Sequence, residues 1–201
     1  MLSTLFSGLS IIYYLISSRC SMKRKFKKIK SKISYQNPWM RIEEHTLITS
    51  TNKELFYGFL CKTPGVILIA LDSDGSIYFI REFRYPINKD IWQLPAGTLQ
   101  EQSVLKQGKK ELREETGIRA KNFKSLGGFY IAPGHENSFI NVILATNLDT
   151  ATLGVSLQDE NENILQVKKI KISEVKKMIR KGSIKCGISL AALNIFFSQT
   201  N

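Results

Sequence analysis

The segment from Leu94 to Ile118 reads LPAGTLQEQSVLKQGKKELREETGI and holds the most informative pattern of the chain. A loop from Pro95 to Gly97 precedes a predicted helix from Ser103 to Thr116, with Ser103 as the N-cap. Gly117 follows the helix at the position where glycine commonly ends one. The apolar stripe predicted to seat this helix on a sheet comprises Leu105, Gly108 and Leu112.

Three carboxylates of this helix, Glu111, Glu114 and Glu115, occupy positions i, i+3 and i+4. This spacing places them on one face, where their like charges repel each other. Such a face is usually solvated, but a glycine-containing loop before it and Gly117 directly after it indicate a built site. Because Mg²⁺ prefers carboxylate oxygens with waters and phosphates, we predict a metal site on this face.

The end of the segment, Lys110 to Ile118, resembles the Nudix box. That box has a glycine, five residues, a glutamate, seven residues, then Arg-Glu-aliphatic-x-Glu-Glu-x-Gly-aliphatic. Taking Gly97 as the first glycine leaves the loop one residue short, and the first glutamate falls at Gln102 or Ser103. In the family this glutamate forms an ion pair with the arginine, here Lys110, and steadies the loop. The resemblance therefore implies a weakened or remodelled loop with its metal ligands retained.

The flanking segments narrow the resemblance to ADP-ribose pyrophosphatases, and together they cover roughly Asn37 to Phe197. After the box, Ala132 to Gly134 resembles a loop of Pro-Gly followed by a glutamate. That glutamate's position is Ser138 here, and Glu136 lies two residues earlier. The similar segments before the box are Asn37 to Trp39, Tyr57 to Phe59, Arg81 to Pro86 and Trp92 to Gly97.

This resemblance implies Mg²⁺-dependent hydrolysis of the diphosphate bond of a nucleoside diphosphate sugar, most simply ADP-ribose to AMP and ribose 5-phosphate. Mn²⁺ is the alternative cation. The implied metal ligands are Ala96, through its carbonyl, and Glu111, Glu114 and Glu115. The implied catalytic residues are Glu114 and Glu115, with Glu160 or Glu162 as the general base. The implied substrate-binding residues are Arg81, Arg84, Gly97 and Gly134.

A second hypothesis is a catalytically weakened Nudix scaffold that binds a nucleotide sugar as a sensor or regulatory module. The altered start of the box, Lys110 and Ser138 motivate it. Three retained carboxylates favour the hydrolase, because a scaffold without a metal has no use for them.

Short apolar runs alternate with turn signals, which predicts an α/β (α+β) Nudix fold with a mixed sheet between helices. Residues 66–201 are assigned to the Nudix domain, and residues 33–65 to a small β subdomain that mediates homodimerisation. Strands are predicted at Leu55–Leu60, Val66–Leu71, Ser76–Phe83, Phe139–Leu148 and Ile164–Ile172. The second and third of these are expected to form a hairpin through the turn Asp72 to Gly75. Further helices are predicted at Ser173–Lys181 and Cys186–Phe197.

Residues 1–32 form an apolar and then basic extension. They carry eight basic residues and no acidic one, so they contribute +8 of the formal charge of +12, and residues 33–201 contribute +4. This location favours a tail that contacts anionic membrane or RNA over a nucleic-acid-binding domain. Residues 1–18 are uncharged, which leaves open a membrane anchor with a cytoplasmic domain or a start at Met22. Three scattered cysteines agree with a cytoplasmic location.

Overall fold

The computed structural model describes residues 26–101, 103–153 and 164–200, which form ten strands and three α-helices. The strands are β1 (Phe26–Gln36), β2 (Arg41–Thr49), β3 (Glu54–Cys61), β4 (Gly65–Ala70), β5 (Ser76–Arg84), β6 (Lys89–Gln93), β7 (Ala96–Thr98), β8 (Arg119–Tyr130), β9 (Phe139–Asp149) and β10 (Ile164–Lys171). The helices are α1 (Val104–Thr116), α2 (Ile172–Arg180) and α3 (Gly187–Gln199).

The central sheet has the order β7-β4-β9-β8, with β4 parallel to β9 and the other pairs antiparallel. Every residue of β4 is buried, as expected for a strand covered on both faces. Its alternate side chains enter two cores: Leu68 packs with Leu112 of α1, whereas Ile67 packs with Leu193 and Phe196 of α3. The predicted mixed sheet between helices is therefore confirmed.

A second sheet has the order β10-β5-β6 and is antiparallel throughout. The predicted hairpin of β4 and β5 is wrong, because the two strands belong to different sheets. Only an isolated bridge between Leu71 and Ile77 joins them. The turn signal at Asp72 to Gly75 is real, but each strand already has a neighbour on both sides: β4 lies between β7 and β9, and β5 lies between β10 and β6. The turn instead leads from one layer of the fold to the next.

The N-terminal sheet, β1-β2-β3, is antiparallel and mostly exposed. Its first strand begins at Phe26, inside the segment predicted as an extension, and all eleven residues of β1 are exposed. The strands β1, β2, β6, β7 and β8 were not predicted from the sequence. The apolar run at residues 1–18 lies outside the described residues, and no helix within the described ranges is long and apolar enough to cross a membrane.

The other predicted strands and helices occur within two residues of their expected bounds. One packing prediction is wrong: Leu105 is 39% exposed, so it does not help to seat α1. The buried stripe of that helix is more polar than expected and contains Gln107, Gly108, Glu111, Leu112, Glu115 and Thr116. A helix that buries two glutamates and a glutamine needs partners for them, and these define the site below.

Candidate functional site

The loop before α1 is fixed by the carboxylate of Glu115, which is 4% exposed. Its Oε2 accepts a hydrogen bond from the backbone N–H of Ala96 at 2.9 Å. The preceding carbonyl, of Pro95, accepts from the N–H of Leu68 at 2.9 Å, which ties the loop to β4. Helix and loop are thus joined at the residue whose carbonyl is the predicted metal ligand.

Gly97 lies directly against the side chain of Glu111. A Cβ at this position would overlap the carboxyl group of Glu111, so any larger residue here requires that carboxyl group to move. Burial raises the pKa of Glu111 above the usual range of a glutamate, and the charge of Glu114 raises it further. A hydrogen bond from Gln107 and the charge of Lys110 oppose this rise. A cation next to this carboxylate would favour its charged form.

Gln107 is fully buried and connects three groups. Its Oε1 accepts hydrogen bonds from the backbone N–H groups of Gln100 and Glu101, each at 2.9 Å. Its Nε2 donates to Oε1 of Glu111 at 2.6 Å. Ser103 occupies the N-cap position as predicted, yet its side chain makes no capping hydrogen bond. Gln107 therefore anchors the loop from inside the helix.

The three glutamates share one side of α1, but they do not converge on a single point. Within the described ranges no group of three acidic, histidine or cysteine side chains is arranged to hold a metal ion. Glu111 and Glu115 nevertheless border Gly97 and Ala96 of the same loop. This donor set fits a hard cation, because Mg²⁺ commonly takes one or two protein carboxylates and completes its shell with waters and substrate phosphates.

Glu114 lies at the rim of a cavity of about 410 Å³ on the outer side of α1. Four cations border this cavity, namely Lys109, Lys110, Arg113 and Arg119. Their positive charge attracts anionic ligands to this end of the helix.

The two candidate arginines lie on opposite faces of β5, because side chains alternate along a strand. Arg81 pairs with Asp90 at 3.1 Å. Arg84 instead donates through Nη1 to Glu82 at 2.9 Å and through Nε to Gln93 at 3.2 Å. Gln93 also donates to Glu82 at 2.6 Å, which closes a three-residue network. Burial raises the pKa of Glu82, and Arg84 and Gln93 oppose that rise.

The loop of Gly134 lies at the same end of the central sheet as Gly97, namely the end where β4 and β9 begin. Gly65, the first residue of β4, is paired with Thr98 of β7 and with Ile140 of β9, and the loop of Gly134 leads directly into β9. The carbonyl of Gly134 accepts a hydrogen bond from the hydroxyl of Tyr57 at 2.8 Å. Topology therefore brings the loop after β8 to the Gly97 side of the sheet.

Beside Gly134 is a cavity of about 320 Å³ with aromatic walls from Tyr57, Phe59 and Tyr130. Glu136 lines it as well, and its carboxylate accepts a hydrogen bond from Ser138 at 2.6 Å. The two positions considered for the glutamate of this loop are thus in direct contact. Glu160 and Glu162, predicted as sources of the general base, and Gln102 of the altered box lie outside the described residues.

The sequence model of the NUDIX domain matches residues 61–185, which include the Gly97 loop, α1 and the loop of Gly134. The chain belongs to the NUDIX family. The resemblance inferred from residues 110–118 is confirmed, and the matched region begins at the end of β3.

Curated relatives agree with this assignment. The chain is 28% identical over 126 residues to the ADP-ribose pyrophosphatase of Bacillus subtilis (strain 168), covering 60% of this chain and 65% of that protein. It is 29% identical over 131 residues to the ADP-ribose pyrophosphatase of Mycobacterium tuberculosis (strain ATCC 25618 / H37Rv), covering 64% and 62%. A methanol dehydrogenase activator of Bacillus methanolicus is 29% identical over 105 residues, covering 51% and 56%. Each match spans less than two thirds of the relative's length.

A solved structure described as an ADP compounds hydrolase has a similar fold. It superposes with a TM-score of 0.76 at 18% identity, over 88% of this chain and 94% of that chain. The family match covers only residues 61–185. A superposition over 88% of this chain therefore extends beyond it and into the N-terminal sheet.

Sequence reasoning missed Glu82, Gln93 and Gln107 as parts of the site. Gln107 carried a usable signal, since a glutamine on the buried side of a helix needs hydrogen-bond partners. Glu82 and Gln93 carried none, because their contact joins two strands whose pairing was not predicted.

Proposed function

We propose that this chain hydrolyses the diphosphate bond of a nucleoside diphosphate sugar, most simply ADP-ribose, to give AMP and ribose 5-phosphate. The observation that carries this proposal is the joining of the Ala96-Gly97 loop to two buried carboxylates of α1. Burying Glu111 and Glu115 in an apolar core is costly unless a cation or strong hydrogen bonds compensate them. The two ADP-ribose pyrophosphatases among the relatives support this substrate class.

Mg²⁺ is the proposed cation, with Mn²⁺ as the alternative. The Ala96 carbonyl and the carboxylates of Glu111, Glu114 and Glu115 would hold it. When bound, such a cation neutralises diphosphate charge and lowers the pKa of an attacking water. Gly97 leaves open the space that the carboxyl group of Glu111 fills, and this allows loop and helix to approach each other closely.

Arg84 is the proposed phosphate-binding residue. Its guanidinium is oriented by Glu82 and Gln93, and Gln93 is only three residues before Ala96. A planar guanidinium suits two phosphate oxygens at once. Arg81, paired with Asp90 on the other face of β5, is the weaker candidate. The aromatic cavity beside Gly134 is the proposed place for the nucleobase. Its aromatic walls suit a planar base, and its volume falls at the lower end of the range for small-molecule pockets.

A general base must also deprotonate the attacking water. Glu160 and Glu162 remain its proposed sources. Separate Glu160→Gln and Glu162→Gln variants distinguish them: the base variant is expected to lower kcat at least about 100-fold at neutral pH, with unchanged KM.

The deciding experiment incubates the full chain with Mg²⁺ and ADP-ribose, ADP-glucose, NADH or diadenosine polyphosphates, and measures AMP and sugar phosphate. Glu115→Gln is the test variant, and Glu174→Gln is the control, since Glu174 forms only an exposed pair with Lys177. The hydrolase hypothesis is supported if AMP release depends on the metal, is abolished in Glu115→Gln and is retained in Glu174→Gln. Binding of a nucleotide sugar without turnover by wild-type protein would instead favour the sensor hypothesis.

Homodimerisation through the N-terminal sheet is the proposed assembly. Trp39, in the connection between β1 and β2, and Phe56, in the edge strand β3, are 81% and 75% exposed in the single chain. Large apolar side chains gathered on one exposed sheet mark an interaction surface more often than a solvent face. Further exposed apolar residues of this sheet are Phe26, Ile29, Ile33, Tyr35, Ile42, Leu55 and Tyr57.

Cytoplasmic location, with the basic N-terminal segment contacting anionic membrane or RNA, is also proposed. Deleting residues 1–32 is a poor test because β1 begins at Phe26. The better comparison is the full chain against a variant with Arg19, Lys23, Arg24 and Lys25 changed to glutamine. Weaker binding of the variant to anionic vesicles or RNA at low salt supports the proposal, and equal binding rejects it.

A further inference from the structure

Gln107 is the buried polar side chain of α1 whose hydrogen bonds lead to two parts of the candidate site. It sits one turn before Glu111, on the face of α1 that packs against the sheet. A buried glutamine without partners would be costly, but here the oxygen and one amide hydrogen are both used. Its amide orientation follows from its neighbours: two backbone N–H donors require the oxygen on one side, and a carboxylate acceptor requires the nitrogen on the other.

The first end of Gln107 holds the loop. By accepting from the N–H groups of Gln100 and Glu101, it fixes the connection between β7 and α1. In the family resembled by this sequence, an ion pair between a glutamate and an arginine steadies the loop. Lys110 stands in place of that arginine, and its only contact with the described part of the loop is with Gln100 Oε1 at 3.5 Å. Gln107 supplies a tighter anchor from a different position.

The second end of Gln107 holds Glu111. Its Nε2 is 2.6 Å from one carboxylate oxygen, while Gly97 packs against the same carboxyl group. The carboxylate is therefore confined from two sides. An oriented carboxylate binds a cation more tightly than one that must first be ordered, and outer partners of this kind commonly contribute 10- to 100-fold to metal affinity.

We propose that Gln107 is a positioning residue that replaces the loop-steadying ion pair and orients Glu111 towards the metal site. This inference rests on the proposed function, because it requires Glu111 to be a metal ligand. It goes further in assigning one side chain two coupled tasks, so that the Gln100-Glu101 loop and the metal ligand are ordered together.

The test uses Gln107→Met, which keeps the length of the side chain and removes its hydrogen bonds. Gln199→Met is the control for the same substitution, since Gln199 is an exposed glutamine whose side chain donates to the Leu126 carbonyl, between α3 and β8. Mn²⁺ binding to the full chain without substrate is measured from the electron paramagnetic resonance signal of free Mn²⁺. Amide exchange at Gln100 and Glu101 is followed in parallel, and thermal unfolding monitors the fold of each variant.

We expect Gln107→Met to weaken Mn²⁺ binding about 10-fold and to speed exchange of both amides, whereas Gln199→Met changes neither. With turnover, the Mg²⁺ concentration for half-maximal rate should rise by a similar factor. Gln107→Asn, one methylene shorter, should weaken Mn²⁺ binding in the same direction and serves if the methionine variant does not fold.

Wild-type affinity and wild-type amide exchange in the folded Gln107 variants would overturn this inference and leave the proposed hydrolase intact. Equal weakening by Gln199→Met would also overturn it, because the effect would then be a general loss of stability. Absence of Mn²⁺ binding by the wild-type chain would reject the metal site itself, and the inference with it.

Discussion

Gly97 leaves room for the carboxyl group of Glu111, which occupies the place that a Cβ would take at this position. We therefore expect Gly97→Ala to displace that carboxylate and to weaken Mg²⁺ binding about 10- to 100-fold. Titration of Mg²⁺-dependent activity measures the effect. Gly187→Ala is the control, because an added Cβ there meets nothing within 4 Å. Wild-type Mg²⁺ dependence of Gly97→Ala would show that Glu111 can move away without consequence.

Arg84 and Arg81 permit a second test at the scale of single residues. Arg84→Lys keeps the charge but loses the planar fork that contacts Glu82 and Gln93, so KM for ADP-ribose should rise about 10-fold. Arg81→Lys should change KM less than about twofold, because its pair with Asp90 is largely exposed. Steady-state kinetics of both variants decides between them. A larger effect at Arg81 would assign substrate binding to the opposite face of β5.

At the scale of elements, the buried stripe of α1 holds both candidate metal ligands and a packing residue. Leu112 is fully buried against the central sheet, so Leu112→Ala should lower the free energy of unfolding by about 2–5 kcal/mol. The partly exposed Leu105 is the matched control, and its replacement by alanine should cost less than about 1 kcal/mol. Urea unfolding of both variants measures the difference. Equal losses would contradict the observed orientation of the helix.

The turn between β4 and β5 is held by charges from another element. Asp74 accepts from Lys171 at 2.9 Å, and the hydrogen bond from Lys171 is the main reason that the pKa of Asp74 lies far below its usual value. A lowered pKa stabilises the fold above the unfolded value of 3.8, and this contribution is lost as the pH falls through the folded-state pKa.

We therefore expect Asp74→Asn to lower the melting temperature at pH 7, and its deficit relative to wild type to shrink as the pH is lowered below about 4. Because the pair is at the surface, the effect should be small and should weaken in high salt. Thermal unfolding between pH 7 and pH 2 measures it. A deficit that does not change with pH would mean that the carboxylate charge has no part in holding the turn.

For the whole molecule, the exposed N-terminal sheet predicts the assembly. Phe56→Glu should convert a dimer to a monomer, because a charge would be buried at the centre of the interface. Leu165→Glu, at an exposed apolar residue of β10, is the control and should leave the dimer intact. Sedimentation or light scattering at several concentrations gives the mass. A wild-type chain that is monomeric at all concentrations would reject the proposed assembly.

The sequence by itself determined the family, the position of α1 and the carboxylates on it. These depend on local spacing, because the 3.6-residue period fixes which side chains share a helix face and Gly117 marks where the helix ends. It also predicted the two inner strands of the central sheet, β4 and β9, because short runs rich in branched and aromatic residues are typical of strands. Its prediction that Gln102 and Lys110 remodel the loop stays a prediction, because Gln102 lies outside the described residues.

Only the tertiary structure decided which strands are neighbours and what compensates for those departures. The turn after β4 looks like a hairpin turn, yet β4 pairs with β7 and β9 in one sheet, whereas β5 pairs with β6 and β10 in another. Arg81 and Arg84 lie on opposite faces of β5, and each finds a different partner on the neighbouring strand β6: Asp90 for Arg81 and Gln93 for Arg84. In the sequence, Gln107 is one of several polar residues of its helix. In the folded chain it is buried between the loop and Glu111. Its role depends on groups brought together by packing, and local periodicity does not encode such contacts.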